Sequence, residues 1–478
     1  MRRTLSSMLL IAGLVVTAAG RERPPNIIFF LADDLGYKEL GCYGQEKIKT
    51  PHIDALAAGG MKLTQFYSGQ TVCAPTRCAF LTGRHMGHAI IRNNRGTGVD
   101  RGQMPLPEGV TTVAGLLKDQ GYATACIGKW GLGHIDNSGD PLKQGFDLFF
   151  GYLCQMHSHH FYPEYLWKNG EKVPYPGNET YRGPTYSATE MNREALEFVR
   201  QNREQPFFLY YATPIPHVSL QVPEEDLKEY EGKWEERPFE NDAIERWEAK
   251  GRKGALAYTG HPMPRAAYAA MISHMDRNVG NLMDLLDDLD LADDTIFIFT
   301  SDNGTTFTGG VDRQFFGSLG GLRGHKCNLW EGGIRVPFVA RWPGHIEPGS
   351  SSDHVAAIWD MLPTFCEASG APVPGDTDGI SLLPELTGRP QAEHEYLYWE
   401  YSSKGGQQAV RLGDWKGVRP QVTKNVEDLQ LYDLKEDAGE RENVAAEHPE
   451  VVARILKIMD EAHVPSEVFP LRGVDTKE

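Results

Sequence analysis

Apolar residues gather into four short runs across the first 300 positions, and each run ends in a polar cluster. Asn26 to Ala32 leads to Asp33-Asp34, Ala123 to Ile127 to Gly128-Lys129-Trp130, Pro206 to Ala212 to Pro216-His217, and Thr295 to Thr300 to Ser301-Asp302-Asn303-Gly304. Runs this short and continuous fit strands buried on both faces of a parallel sheet. Helical spacing lies between them, over Thr111 to Gln120 and Tyr268 to Leu289. The alternation predicts an α/β fold, a doubly wound, mainly parallel sheet flanked by helices, in which ligands favour the carboxyl ends of the strands. The charge-rich stretch Glu224 to Gly260, with Trp234 and Trp247, predicts an exposed helical or looped insertion. After Leu383 to Pro390 the pattern changes to short strand-like runs around Tyr396 to Tyr401, Ala409 to Leu412, Trp415 to Val418 and Leu429 to Leu434, then a helix over Pro449 to Ala462. We therefore expect a major domain over residues 21–385 and a smaller one over 386–478.

The N-terminus adds a targeting signal. Met1-Arg2-Arg3, the apolar run Met8 to Val16 and the small residues Ala18-Ala19-Gly20 have the order of a secretory signal peptide spanning residues 1–20. The apolar run is short for a bilayer span, so a secreted or periplasmic protein without a stable membrane anchor is expected. Across 478 residues the formal net charge is -17, which argues against nucleic acid or anionic membranes as partners while allowing a local basic pocket. The seven cysteines, Cys42, Cys73, Cys78, Cys126, Cys154, Cys327 and Cys366, form neither a dense disulfide framework nor a Cys-x-x-Cys zinc pattern.

One of those cysteines carries the chemistry. Cys73-Ala74-Pro75-Thr76-Arg77 is followed by Leu81-Thr82-Gly83-Arg84. A cysteine before a proline turn can be a buried structural residue, but the extended sequence resembles the signature of the type I, formylglycine-dependent sulfatases of the alkaline phosphatase superfamily. The resemblance implies that a maturation enzyme in the producing cell oxidises Cys73 to formylglycine, whose hydrated aldehyde supplies the nucleophile. Arg77, a planar guanidinium, suits fixing a sulfate group. Arg84 either faces the anion or pairs at a helix end.

Asp33, Asp34, Asp302 and Asn303 are hard oxygen donors, better matched to calcium or magnesium than to a soft metal. Alone, such pairs are usually turns or helix caps. The resemblance places them, with the modified Cys73, around calcium in preference to magnesium. It also covers Gly128-Lys129-Trp130, the Ala212 to His217 segment, Leu322-Arg323-Gly324-His325-Lys326 and Glu331 to Pro337, nearly the whole mature chain. Lys129 and Lys326 then neutralise sulfate, while His217 or a lysine protonates the departing alcohol. Taken singly, these lysines read as solvated charges and His217 as a structural histidine. The C-terminal runs resemble the small antiparallel-sheet subdomain of sulfatases. Where many members have a histidine after Gly-Lys-Trp, this chain has Gly131, and His134 is a candidate substitute.

Three activities fit these residues: sulfate ester hydrolysis, phosphodiester or phosphonate monoester hydrolysis on the same fold, and binding of sulfated glycans without turnover. A sulfated carbohydrate is the favoured substrate. His157-Ser158-His159-His160-Phe161-Tyr162 with Tyr165 and Trp167 offers rings and polar edges for a sugar, with His157 and Tyr162 as the named contacts.

Overall fold

The computed structural model describes residues 23–97, 102–179, 181–241 and 258–475. The expected signal peptide lies outside the described residues, as do positions 242–257 of the expected insertion, Trp247 among them.

A ten-stranded sheet forms the centre. Its strands are β1 (Asn26–Ala32), β2 (Met61–Tyr67), β3 (Ala123–Lys129), β4 (Leu148–Tyr152), β5 (Tyr165–Lys168), β6 (Glu171–Pro174), β7 (Phe207–Ala212), β8 (Thr295–Ser301), β9 (Arg335–Arg341) and β10 (Ser350–Ala357). They lie in the order β10-β2-β9-β8-β1-β7-β3-β4-β5-β6. Around the centre the pairs β1 with β7, β1 with β8 and β3 with β7 are parallel, and β9 enters antiparallel between β8 and β2.

Every residue of β1 is buried, and its alternating side chains feed two cores. Ile28, Phe30 and Ala32 face one layer with the Pro264–Asp288 and Ser187–Gln201 helices, while Ile27, Phe29 and Leu31 face another with the Cys73–Thr82, Val113–Asp119 and Met361–Ser369 helices. Each of the Ile, Phe and Leu side chains among them contributes about 1.5–3 kcal/mol when fully buried. That is why an uninterrupted apolar run, rather than an alternating one, makes this strand.

A second, four-stranded antiparallel sheet has the order β11 (Leu397–Tyr401), β12 (Gln407–Leu412), β13 (Trp415–Arg419) and β14 (Gln430–Asp433). Tyr398, Val410 and Leu431 point to one face and meet Ile455, Ile458 and Met459 of the Pro449–Ala462 helix. Trp399, Ala409 and Val418 point to the other and pack on Tyr67, Ile334, Ala357 and Trp359 of the main body. A buried ionic group crosses the same junction: Lys416 Nζ lies 2.8 Å from Glu331 and 3.1 Å from Glu440, and Tyr67 donates to Glu331 at 2.7 Å. Burial would raise Glu331, but Lys416, then Arg335 and Arg411, outweigh it and hold the carboxyl at about 2.

Candidate active site

The parallel register sets the site. Ala32 stands opposite Ser301, so β1 and β8 release Asp33-Asp34 and Asp302-Asn303 at one level. Lys129 ends β3, and His217 follows β7 on the same edge. Cys73 is the first residue of a ten-residue helix, every residue of which is buried. The helix N-terminus places positive backbone dipole beside the cysteine. Asn94 Oδ1 accepts the Ala74 N–H at 2.9 Å and so satisfies one of its free donors.

Charges then converge on the cysteine sulfur. Lys129 Nζ is 3.4 Å and Lys326 Nζ 4.0 Å from Cys73 Sγ, and Asp33 Oδ1 lies at 3.3 Å. Lys129 also bonds Asp33 Oδ2 at 2.5 Å, and Lys326 bonds Asp34 Oδ2 at 2.7 Å. Arg77 runs beneath the site, donating to the Lys129 carbonyl at 2.6 Å and to Asp302 Oδ2 at 2.9 Å. His217 Nδ1 donates to the Val218 carbonyl at 2.5 Å, which leaves Nε2 as a lone pair 3.6 Å from Asp34.

Burial governs the protonation states. It pushes the Cys73 thiol far above its ordinary range, with the Asp33 charge adding to the effect, so the sulfur is not a ready thiolate. Burial would raise Asp33 too, yet Lys129 first, with Arg77 and Lys326, holds it well below the usual carboxylate range. Asp302 goes the other way, raised to about 7 by burial and by the negative charge of Asp33. His217 is held neutral by burial and by Lys326.

The donor set fits a hard divalent cation. Asp33, Asp34, Asp302 and Asn303 are all buried, and Asn303 donates its amide to Asp34 at 2.8 Å while its carbonyl Oδ1 has no hydrogen-bond partner. An unpaired buried amide oxygen among three carboxylates is a ligand arrangement suited to calcium or magnesium.

The structure thus brings together Cys73, Arg77, Lys129, His217, Lys326, Asp33, Asp34, Asp302 and Asn303. The other three candidates make contacts outside this set of residues. His134 bonds Asp136 at 3.0 Å and stands edge-on to Trp167. His157 packs between Tyr152 and Tyr165, and Tyr162 packs on Tyr186. Arg84 pairs with Asp376 away from the cluster.

Two further neighbours were not singled out from the sequence. A Cβ on Gly131, which has φ 76°, would come within 2.8 Å of Gln155 Nε2, so Gln155 occupies the space a side chain there would need. Gln155 reaches Asn94 at 3.4 Å and thereby the start of the Cys73 helix. His159 stacks on His217 with ring centroids 4.8 Å apart. Its only sequence signal was membership of a histidine-rich loop.

Comparison with known proteins agrees with this geometry. The sulfatase family model matches residues 25–371, and the model of the C-terminal part of N-sulphoglucosamine sulphohydrolase matches residues 325–464. Human N-acetylgalactosamine-6-sulfatase is 30% identical, the match covering 94% of this chain and 88% of that protein. Human arylsulfatase A is 33% identical, with 94% and 89% covered. Among solved structures, Ps i-CgsB in complex with k-i-k-neocarrahexaose superposes with a TM-score of 0.76 at 27% identity, with 92% of each chain covered. A family model over most of the chain and a charged cluster built from its motifs lead to one assignment: this chain belongs to the sulfatase family.

Proposed function

We propose that this sulfuric ester hydrolase removes sulfate from carbohydrates, using a formylglycine made from Cys73 and a divalent cation, calcium before magnesium, held by Asp33, Asp34, Asp302 and Asn303. The observation that carries the reading is the convergence of Lys129 and Lys326 on the Cys73 sulfur at the mouth of a carboxylate cluster. An anion arriving there meets two ammonium groups, with Arg77 fixing the Lys129 backbone and Asp302 behind them. When bound, the cation polarises a sulfate oxygen and offsets the clustered carboxylates. The hydrated aldehyde supplies the oxygen nucleophile that a buried, protonated thiol does not.

Protein side chains handle the remaining steps. His217 Nε2 presents a lone pair that accepts a proton and returns it to the departing alcohol. Lys129 and Lys326 stay protonated because Asp33 and Asp34 outweigh the cost of their burial. A carbohydrate substrate is supported by the name of the human N-acetylgalactosamine-6-sulfatase relative and by the oligosaccharide bound to the structural neighbour. The reading includes a maturation enzyme in the producing cell and export with loss of residues 1–20. No helix among the described residues is long and apolar enough to cross a membrane.

The test pairs mass spectrometry of the Cys73 peptide with assays of sulfate and phosphate release. A formylglycine mass and sulfate release support the proposal. An unmodified cysteine in a fully active enzyme, or release of phosphate in preference to sulfate, overturns it.

A further inference from the structure

His463 follows directly on the Pro449–Ala462 helix, and its ring is held from both sides. Nδ1 lies 2.5 Å from Glu400 Oε2 and Nε2 lies 2.6 Å from Asp475 Oδ1, with all three side chains buried. A carboxylate oxygen only accepts, so two such contacts on one imidazole call for an N–H on each nitrogen, the imidazolium form. Burial alone would lower the His463 pKa, but the bonds to Glu400, then Asp475, outweigh it and raise it above its ordinary value. A neutral ring keeps one N–H and turns a lone pair on the other carboxylate, so one of the two contacts has to open. Glu400 is the anchored partner, since Arg92 Nη1 lies 2.8 Å from its Oε1 and the Tyr398 hydroxyl donates to its Oε2 at 2.7 Å. Behind them Arg419 bonds Gln408, which in turn bonds Tyr398. Among the described residues Asp475 pairs with no other cation, and its Oδ2 accepts the Leu471 N–H at 2.7 Å.

The same network runs on to the nucleophile helix. Arg92 donates to the Ala89 carbonyl at 2.8 Å and to the Val464 carbonyl at 2.6 Å, and Arg95 donates to the Val468 carbonyl at 2.9 Å. Residues 92–95 are therefore pinned between Glu400 and the segment over residues 464–475. Asn94, in the middle of that stretch, accepts the Ala74 N–H next to Cys73 at 2.9 Å. A helix start fixed by a side-chain acceptor holds its first residue in place, and here that residue is the cysteine.

We propose that His463 is a positioning residue for the nucleophile: while its ring holds Glu400 and Asp475 together, the segment over residues 464–475 clamps Arg92 and Arg95, and Asn94 stays seated on the start of the Cys73 helix. This rests on the reading of Cys73 as the nucleophile precursor. The clamp is complete below the ordinary histidine value of 6.5 and is lost as pH rises through the raised value of the folded chain. Deprotonation then releases Asp475, the partner with no second cation, and turnover falls on the alkaline side.

The experiment follows the intact chain across pH by two readouts, kcat for sulfate release and hydrogen exchange of the peptides containing Ala74 and Leu471. His463→Gln never carries the charge; at acidic pH it is expected to lower kcat about tenfold with KM nearly unchanged, and to speed exchange in both peptides relative to wild type at the same pH. Its kcat profile loses the alkaline limb assigned to His463. His463→Lys keeps the charge and the donors, so kcat and protection return and the limb moves to higher pH. Asp475→Asn removes one of the two negative charges that hold the proton, so the limb moves to lower pH; this variant decides the matter if His463→Gln does not fold. Wild-type kcat and exchange in His463→Gln overturn the proposal, as do faster exchange with kcat unaffected and a limb that stays in place in Asp475→Asn. Absence of sulfate release from wild-type enzyme instead removes the hydrolase reading, and exchange at Ala74 and Leu471 still decides the clamp.

Discussion

Replacing Cys73 by alanine separates chemistry from folding, because the side chain is small, sits at a helix start and makes only polar contacts with Asp33 and the lysines. Cys73→Ala is expected to abolish sulfate release while leaving the thermal midpoint close to wild type; retained activity rejects the nucleophile assignment. Asn303→Ala removes the unpaired Oδ1, and the calcium concentration giving half-maximal activity should rise about tenfold or more. A calcium titration of chelator-treated protein measures this directly. Glu39 offers a test by pH. It is buried, accepts the Gly36 N–H at 2.6 Å and the Tyr268 hydroxyl at 2.9 Å, and burial raises it to about 7 from its ordinary 4.5. Between those values the folded chain holds a proton that the unfolded chain has released, so stability falls as pH rises through this window, by about 3 kcal/mol in all. Glu39→Gln should flatten that fall in denaturation curves taken from pH 4 to pH 8. None of this was legible for Glu39, whose burial depends on Tyr268 more than 200 positions away, whereas the acids beside Cys73 stood out because each closed an apolar run.

At the scale of elements, the uniform runs were easy to read and their order in space was not. Asn26 to Ala32 and Pro449 to Ala462 form the strand and helix expected from their patterns. The antiparallel entry of β9 between β8 and β2, by contrast, pairs Phe66 with Val336, and no local pattern announces a partner 270 residues distant. The expected contact of His157 and Tyr162 with substrate rested on loop composition, which does not reveal the ring neighbours each acquires, Tyr152 and Tyr165 for the first and Tyr186 for the second. The junction of the two sheets carries its own prediction. Lys416→Met leaves Glu331 and Glu440 facing each other without their shared cation, which should cost about 3–5 kcal/mol. Replacing Lys416 and both acids together should recover much of the loss in urea denaturation; an unstable triple variant would show that shape, not charge, holds the junction.

Over the whole molecule, the two sheets share a core. Tyr67 and Trp359 of the main body pack on Trp399, and Gln407 at the start of β12 donates to the Cys327 carbonyl, next in the chain to Lys326. A chain ending at residue 395 should therefore fail to accumulate as folded protein, which a thermal melt of the soluble fraction will show. The burial of Cys73, 1% exposed inside a helix with no accessible residue, has a consequence for how the enzyme comes into being. On the proposed reading, another protein's catalytic groups cannot reach that sulfur once the chain has collapsed, so its oxidation to formylglycine belongs to the still-extended segment. Activation is then a single opportunity in the life of each molecule. Folded protein that missed it should stay inert when mixed with the maturation enzyme, and only unfolding should reopen the window.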